Sequence, residues 1–257
     1  MLGVGKCFLG QKLDLWAFGA ILVGVNLTLR RSCERGHADH GWLCTWHSFS
    51  FADYHDPRHM GFRSLRVINQ DIIAPGVGFP MHPHRDMEIF SYVLKGAIEH
   101  RDSLGNHAQV RPGQIQVMSA GTGVRHSEVN PSATEPLHLL QVWILPDRGG
   151  LKPRYAEWTP SPDQRDATKV LIVSQDGREG SAHISQDASV YRVKAAAATS
   201  VAHTLAAGRG LWFQLIEGDV QVGGVTLAPG DAVSSEDAGV FEFKSAGPVE
   251  ALLFDLA

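Results

Sequence analysis

VLKGAI at residues 93–98, followed by RPGQ at 111–114, is repeated in the second half of the chain as LIEGDV at 215–220, followed by APGD at 228–231. Each copy has the pattern of a strand, a glycine turn, a second strand and a Pro-Gly turn into another strand, because glycine adopts positive φ and proline presets a turn. A duplicated unit constrains the architecture more firmly than the propensities of single residues do. The repeat therefore predicts two small β-barrels in tandem.

The rest of the chain has the pattern of an all-β protein. Short runs rich in Val, Ile, Leu and Phe alternate with Gly, Pro, Asn and Asp, and no long segment has helical periodicity. Residues 147–166 contain Gly-Gly, Lys-Pro, Thr-Pro and Ser-Pro pairs, which are typical of a linker. We therefore expect an N-terminal barrel at residues 26–148, a C-terminal barrel at residues 149–257, and an N-terminal extension at residues 1–25.

The N-terminal extension leads into an uncharged run at residues 15–29. This run is shorter than the roughly 20 apolar residues that span a bilayer. Two lysines precede it, as in a signal peptide, but Asp14 interrupts the apolar stretch and no small-x-small cleavage site follows. Our hypothesis is that residues 1–24 belong to a mis-assigned start and that Val25 is the first residue of the native protein. A measured intact mass that includes residues 1–24 would contradict it.

Charge and cysteine content narrow the classes of partner. The formal net charge is -4 and no block of consecutive basic residues occurs, so we expect direct contact with neither nucleic acid nor an anionic membrane. Small molecules or proteins are the expected partners. Cys7, Cys33 and Cys44 are too few for a disulfide framework and form no C-x-x-C pair. This cysteine usage fits a reducing cytoplasm.

A metal-binding pattern surrounds the turns of the first copy. HPH at residues 82–84 precedes the Gly96 turn, and HSE at residues 126–128 follows the Pro-Gly turn. Residues two apart on a strand face the same side, so both pairs are able to point into one barrel. Three neutral imidazoles and a carboxylate leave coordination positions open, as a catalytic metal site requires. The pattern predicts one divalent metal ion held by His82, His84, His126 and a carboxylate.

The spacing of these residues does not decide which carboxylate binds the metal or which metal is bound. Glu88 has the same parity as His82 and His84, while Glu128 lies two residues after His126, so both carboxylates are candidates. The donor set suits Fe(II), and by affinity also Mn, Co, Ni, Cu or Zn. A lone histidine on a strand is more often a surface or hydrogen-bonded residue than a ligand. We expect this of the other ten of the 13 histidines: His37, His40, His47, His55, His59, His100, His107, His138, His183 and His203.

The second copy of the repeat has no ligand types at the matching positions. When the spacings from the turns of the first copy to its histidines are applied to the second copy, they lead to Thr204, Ala206 and Phe243. None of these side chains binds metals. We therefore expect the C-terminal barrel to be metal-free, with a structural or protein-facing role.

The same segments resemble the two motifs of the cupin superfamily. Residues 76–88 (Gly, five residues, H-x-H, three residues, Glu) are similar to the first motif, and residues 113–130 are similar to the second. Ser119 stands where most cupins have proline, a departure that pirins share. The surrounding sequence resembles the pirin family in five segments: ERGH at 34–37, SFSFA at 48–52, GF at 61–62, FPMHPHRDME at 79–88 and MSAGTGVRHSEVNP at 118–131.

This resemblance to pirins covers the chain from about Leu29 to the C-terminus. It implies two jelly-roll-like cupin barrels with the metal in the first, and iron as Fe(II) in that site. It also implies that Glu128 is the fourth ligand, with Glu88 as a neighbour that orients an imidazole. Phe51, Phe79, Phe90 and Trp143 are candidates to line the pocket of a planar substrate, although aromatic residues on strands are more often core.

The resemblance also implies an activity. Bacterial pirins resemble quercetin 2,3-dioxygenases, which open a flavonol with O₂ and release carbon monoxide. In such a site the metal binds the deprotonated flavonol, and Glu128 takes the proton as general base. The alternative is a non-catalytic iron-binding regulatory protein that acts through protein partners.

Overall fold

The computed structural model describes residues 25–257, so the predictions made for residues 1–24 lie outside the described part of the chain. The described chain is mostly β-structure, in two barrels that each combine a seven-stranded and a four-stranded sheet. Besides strands it contains 3-10 turns at Ser32–Glu34 and Arg178–Gly180 and one short helix, α1 (Pro162–Asp166). The prediction of two tandem cupin-type barrels is confirmed. Within residues 25–257, no helix has both the length and the apolar character needed to cross a membrane.

The first twelve strands lie mostly in the N-terminal barrel. They are β1 (Thr28–Arg30), β2 (Gly36–Asp39), β3 (Leu43–His47), β4 (Leu65–Ile73), β5 (Gly78–His84), β6 (Glu88–Lys95), β7 (Ile98–Asp102), β8 (His107–Val110), β9 (Ile115–Ser119), β10 (Val124–Val129), β11 (Leu137–Ile144) and β12 (Arg154–Trp158). The seven-stranded sheet has the order β12-β9-β6-β11-β4-β3-β2, and the four-stranded sheet has the order β5-β10-β7-β8.

The remaining strands form the C-terminal barrel. They are β13 (Lys169–Ser174), β14 (Ala182–His183), β15 (Ala188–Ala195), β16 (Thr199–Leu205), β17 (Gly210–Glu217), β18 (Val220–Val222), β19 (Val225–Leu227), β20 (Ala232–Ser235), β21 (Gly239–Ser245) and β22 (Val249–Leu256). Its sheets have the orders β1-β20-β17-β22-β15-β13-β14 and β16-β21-β18-β19. The two barrels therefore repeat one topology.

The turns that defined the repeat occupy equivalent places in the two barrels. Gly96 (φ 82°) joins β6 to β7, and Gly218 (φ 85°) joins β17 to β18. A Cβ atom on Gly218 would lie 2.1 Å from the Pro248 carbonyl oxygen, so both the backbone conformation and the available space require glycine there. The duplication inferred from the sequence is thus visible in the backbone.

The two seven-stranded sheets pack against each other and share one hydrophobic core. Phe90 and Tyr92 of β6 belong to the same buried cluster as Trp212, Leu252 and Phe254 of the C-terminal barrel. Strands in this position are covered on both faces, which is why β6 and β22 are nearly continuous apolar runs rather than alternating ones. The interface between the barrels is therefore a core.

Each barrel receives an edge strand from the segment that leads into the other. β1 pairs antiparallel with β20 of the C-terminal sheet, and β12 pairs antiparallel with β9 of the N-terminal sheet. The boundary expected at residue 148 assigns β1 to the N-terminal barrel and β12 to the C-terminal barrel, whereas each pairs with a sheet of the other barrel. The linker expected at residues 147–166 contains β12 and α1. Proline and glycine content marks turns correctly, but it carries no information about which distant edge a short strand joins.

Candidate metal centre

Three imidazoles converge between two antiparallel strands of the four-stranded sheet. His126 on β10 lies opposite His82 on β5, and Val124 lies opposite His84. The ring centroids are 4.5 Å apart for His82 and His126, and 4.8 Å apart for His84 and either of the other two rings. One ring nitrogen from each lies within 4.8 Å of the others. The three histidines that the sequence pattern predicts to point into one barrel therefore lie together.

Hydrogen bonds on the outer side of two of these rings fix where their lone pairs point. Nδ1 of His82 lies 2.7 Å from the Pro80 carbonyl oxygen, which only accepts, so this nitrogen carries the proton. Asp102 accepts from Nε2 of His100 at 3.2 Å, and Nδ1 of His100 faces Nδ1 of His126 at 3.4 Å. In this chain of contacts His126 donates from Nδ1. Both Nε2 atoms then present lone pairs to the centre.

The arrangement of these lone pairs fits a metal cation. Nε2 of His82 and Nε2 of His126 are 3.1 Å apart, and two lone pairs facing each other at this distance need a shared positive charge between them. Burial, together with the neighbouring imidazoles, lowers the pKa of His126 to about 3 and that of His84 to about 4. Neutral imidazoles are metal ligands. The three histidines are therefore suited to a single divalent ion.

Glu128 lies beside His126 but is held mainly by neutral donors from the opposite sheet. Its Oε1 accepts from Ser91 Oγ at 3.0 Å and from Gln116 Nε2, and its Oε2 accepts from Gln141 Nε2 at 2.7 Å. Glu128 is 1% exposed, and no Lys or Arg among residues 25–257 forms an ion pair with it. A buried carboxylate with no cationic side chain to balance it is a second feature that fits a bound metal.

Glu128 groups with His126 and His100 within 4.8 Å, whereas the group of His82, His84 and His126 does not include it. A register shift in the β5–β10 ladder falls between His126 and Glu128. The structure thus places the carboxylate next to one of the three histidines.

Glu88 faces away from the imidazoles. Its Oε2 accepts from Ser119 Oγ at 2.6 Å, and burial raises its pKa. The nearby charged groups are Arg154 on β12, at the edge of the N-terminal sheet, and His183 on β14 of the C-terminal barrel. The expectation that Glu88 orients an imidazole is therefore wrong. Asp86 adopts φ 47° in the turn between β5 and β6. Because this turn interrupts the strand, Glu88 does not share a face with His82 and His84 as it would on a continuous strand.

An apolar cavity of about 380 Å³ opens beside the three histidines. Its walls include Trp42, Phe51, Phe79 and Trp143 together with His82 and His84. The Trp143 ring meets His84 edge-on at 4.9 Å. This volume lies within the usual range for small-molecule sites, which are mostly apolar with a few polar groups. Of the aromatic residues proposed as pocket-lining, Phe51, Phe79 and Trp143 occupy that position, whereas Phe90 lies in the core between the barrels.

Comparison with known proteins places the chain in a family. The Pirin family model matches residues 27–144, and the model of the quercetinase C-terminal cupin domain matches residues 171–256. The quercetin 2,3-dioxygenase of Escherichia coli K12 is 48% identical over 228 residues, which are 89% of this chain and 97% of that protein. The chain belongs to the pirin family.

Solved pirin structures agree with this assignment. The crystal structure of YhhW from Escherichia coli has a TM-score of 0.86 and 47% identity, over 90% of this chain and 98% of that one. The YhhW complex with nickel(II) has a TM-score of 0.85 and 47% identity, over 90% and 99% of the two chains. This pirin therefore shares its fold with a relative that binds a divalent metal.

Several polar residues around the site were missed by the sequence analysis. One row of side chains crosses five neighbouring strands in register, and it consists of His47, Asn69, Gln141, Ser91 and Gln116. Three of them are the donors to Glu128. Each of these residues is a polar residue at an inward position of an otherwise apolar strand. The sequence shows this, but it predicts that the residues form one row only when the register of the strands is known.

His100 and Asp71 were also missed. His100 was expected to be an ordinary histidine, yet it lies opposite Glu128 in the β7–β10 ladder and contacts His126. The H-x-D spacing of His100 and Asp102 on one strand face was its signal. Asp71 of β4 lines the cavity, and burial, reinforced by the Glu128 carboxylate, raises its pKa to about 7.

The matching positions of the second barrel are occupied differently in this pirin. Phe243 stacks on Phe213 with ring centroids 4.1 Å apart. His203 contacts Lys169 Nζ through Nδ1 at 3.0 Å and Asp255 Oδ2 through Nε2 at 2.9 Å. Both ring nitrogens of His203 are thus engaged by protein groups. That the C-terminal barrel binds no metal stays a prediction.

Proposed function

We propose that this pirin is a metal-dependent dioxygenase that uses O₂ to open the central ring of a flavonol such as quercetin, with release of carbon monoxide. The observation that carries the proposal is that three imidazoles converge beside an aromatic cavity of about 380 Å³, whose wall includes His82 and His84. A relative that is 48% identical over nearly its whole length bears the name quercetin 2,3-dioxygenase. This supports the choice of substrate class.

In the proposed site, His82, His84 and His126 hold the ion, with Glu128 as the fourth ligand. A divalent ion with open positions supplies Lewis-acid activation of the substrate's 3-hydroxyl group. A set of imidazoles plus one carboxylate is typical of non-haem Fe(II) sites, and we infer iron as the native metal. YhhW was crystallised with nickel(II), so metal analysis of this pirin has to include nickel.

The side chains around the ion have separate tasks in the proposed reaction. Phe51 and Trp143, whose rings meet edge-on at 5.3 Å, bound the space for a planar ring system and exclude water from it. Glu128 accepts the proton of the 3-hydroxyl group as general base. Its donors Ser91, Gln116 and Gln141 keep the carboxylate oriented while it does so. Carbon 3 leaves as carbon monoxide, and both atoms of O₂ enter the ring-opened ester.

Quercetin turnover in air tests the proposal. Protein isolated without added metal is analysed for iron, nickel, manganese, cobalt, copper and zinc, and carbon monoxide is then measured against O₂ consumed. We expect one carbon monoxide per O₂ and loss of both in His82→Ala, while His107→Ala, on the exposed strand β8, stays active. Tight metal binding without any turnover would contradict the proposal and would favour a regulatory protein.

A further inference from the structure

Asp71 is a buried carboxyl group in the wall of the cavity that faces the imidazoles. It lies on β4 of the seven-stranded sheet, whereas His82 and His84 lie on β5 of the four-stranded sheet. Asp71 is 2% exposed and lines the same cavity as these two histidines. The cavity therefore has a polar group in each of its two sheets.

The surroundings of Asp71 do not supply the partners that a buried carboxyl group needs. Its register neighbours are Leu139 on β11 and Thr45 on β3. Within residues 25–257, Asp71 Oδ1 and Thr45 Oγ1 are both buried without a hydrogen-bond partner, and no Lys or Arg forms an ion pair with Asp71. An unsatisfied buried polar group costs about 1–3 kcal/mol, more when charged, so its presence beside a cavity needs an explanation.

A structural role does not explain Asp71 well. The other carboxyl groups buried in this barrel are each satisfied by protein donors: Glu128 by three side chains, and Glu88 by Ser119. Burial raises the pKa of Asp71 to about 7 although the neighbouring Thr45 hydroxyl group lowers it, which is the shift expected of a buried carboxyl group whose charge no cation balances. A leucine would fit the apolar neighbours Leu139 and Ile73 better than an aspartate does.

We propose that Asp71 is a specificity-determining residue that accepts a hydrogen bond from a second hydroxyl group of the ligand. The inference rests on the proposed function, since the ligand is taken to be a planar aromatic that reaches the metal centre with its first hydroxyl group. Recognition then has two points, one in each sheet. The cavity accordingly selects polyhydroxylated planar aromatics over those with a single hydroxyl group.

The physical basis of this selection is the cost of leaving Asp71 unpaired. A ligand with the second hydroxyl group supplies the hydrogen bond that the buried carboxyl group of Asp71 lacks. A ligand that lacks it displaces water from the cavity and leaves a buried polar group without a partner. Sites built around a hydrogen bond to a substrate hydroxyl discriminate strongly against analogues without it for this reason.

Calorimetric titration under anaerobic conditions, which prevents turnover, tests the proposal. The metal-loaded protein is titrated with quercetin, which has five hydroxyl groups, and with 3-hydroxyflavone, which has only the one expected at the metal. We expect Asp71→Leu to weaken quercetin binding about 10- to 100-fold, the range for a hydrogen bond to a charged group, and to leave 3-hydroxyflavone binding unchanged or tighter, because its complex with the variant no longer contains an unpaired buried carboxyl group.

Asp71→Asn provides a second variant of nearly unchanged shape, in which we expect a smaller loss of the same selectivity. Asp219→Asn, in the exposed turn between β17 and β18, is the matched control and should keep the selectivity of the natural protein. Metal content and circular dichroism confirm that each variant is folded and loaded.

Two results would overturn the role of Asp71: equal weakening of both ligands, which indicates a merely structural effect, or no change in either. These results are distinguishable from failure of the proposed function. Selectivity that depends on Asp71 without carbon monoxide release in air refutes the oxygenase and keeps the second contact. Carbon monoxide release with unchanged selectivity in Asp71→Leu supports the oxygenase and refutes the second contact.

Discussion

Nε2 of His82 lies 3.1 Å from Nε2 of His126, although the two residues are 44 positions apart in the chain. The contact depends on groups outside the pair: Pro80 fixes the tautomer of His82, and His100 with Asp102 fixes that of His126. Hydrogen bonds within the protein thus direct both lone pairs to one point, where a bound cation would remove the repulsion between them. Preorganisation of this kind is what a protein contributes to a metal site.

The first prediction concerns His100, which positions a ligand without touching the ion. His100→Phe keeps the ring that stacks on Tyr155 at 4.5 Å but removes the acceptor for His126 Nδ1. We expect metal affinity to fall about 10- to 100-fold, as for other outer-shell partners. Competition with a chelator of known affinity measures this. His107→Ala is the control, and equal affinity in His100→Phe and the natural protein would show that the contact has no role.

The second prediction separates the two carboxylates that the sequence left open. Glu128→Gln removes a negative charge beside His126, and we expect metal affinity to fall at least tenfold, since a neutral amide is a poorer ligand and gives no charge balance. Glu88→Gln should retain full metal occupancy, because Glu88 faces the C-terminal barrel and Ser119. Metal content after dialysis distinguishes them. If Glu88→Gln loses the metal and Glu128→Gln retains it, our assignment of the ligand is reversed.

These residues illustrate what local sequence can and cannot predict. His82, His84 and His126 were found because strand periodicity and two adjacent turns fix their direction within a few residues. Glu88 was misplaced because a single residue with positive φ, Asp86, resets that periodicity. The polar row beneath Glu128, and Asp71 beside it, depend on which strands become neighbours and in what register.

The same limit applies to the fold. The glycine turns of the two copies are local and were predicted, whereas the edge positions of β1 and β12 depend on pairing between distant segments. A short strand contains too few residues to specify its partner. Its partner is therefore determined by which sheet edge lies next to it in the packed barrels.

The third prediction follows from the raised pKa of Asp71. The pKa of this carboxyl group is about 7 in the folded protein and about 4 in an unfolded chain. Between these values the folded state binds more protons than the unfolded state, so the contribution of Asp71 to stability falls as pH rises from about 4 to about 7. Asp71→Asn has no such titration. It should therefore be more stable than the natural protein at pH 8, by about 2–4 kcal/mol.

Urea unfolding of metal-free protein at several pH values between 5 and 8 measures this difference. Comparing the two proteins at each pH removes the titrations that they share. The difference should grow with pH and level off above 7. A difference that is constant, or that shrinks as pH rises, would mean that Asp71 is satisfied in the folded protein. The variant that gains stability is also the one expected to lose ligand selectivity, a trade-off common at functional sites.

The last prediction concerns the contact that joins the two barrels through their shared core. Tyr92 Oη of β6 donates to Glu250 Oε1 of β22 at 2.5 Å, and Lys194 Nζ lies 2.6 Å from Oε2 of the same carboxylate. Tyr92 is fully buried and Glu250 is 8% exposed. Tyr92→Phe keeps the packing of the ring and removes one donor to a buried carboxylate, so we expect the free energy of unfolding to fall by about 1.5–3 kcal/mol.

Lys194→Met is the matched variant, because it removes the other donor to Glu250. The Lys194 side chain is about half exposed, so this variant should lower the free energy of unfolding by less than Tyr92→Phe does. Both donors act on one carboxylate, so the two losses should not add in the double variant. Because the two seven-stranded sheets share one core, we expect a single unfolding transition in all these proteins. Two separate transitions in Tyr92→Phe, or strictly additive losses, would show that the barrels are stabilised independently and that this contact does not couple them.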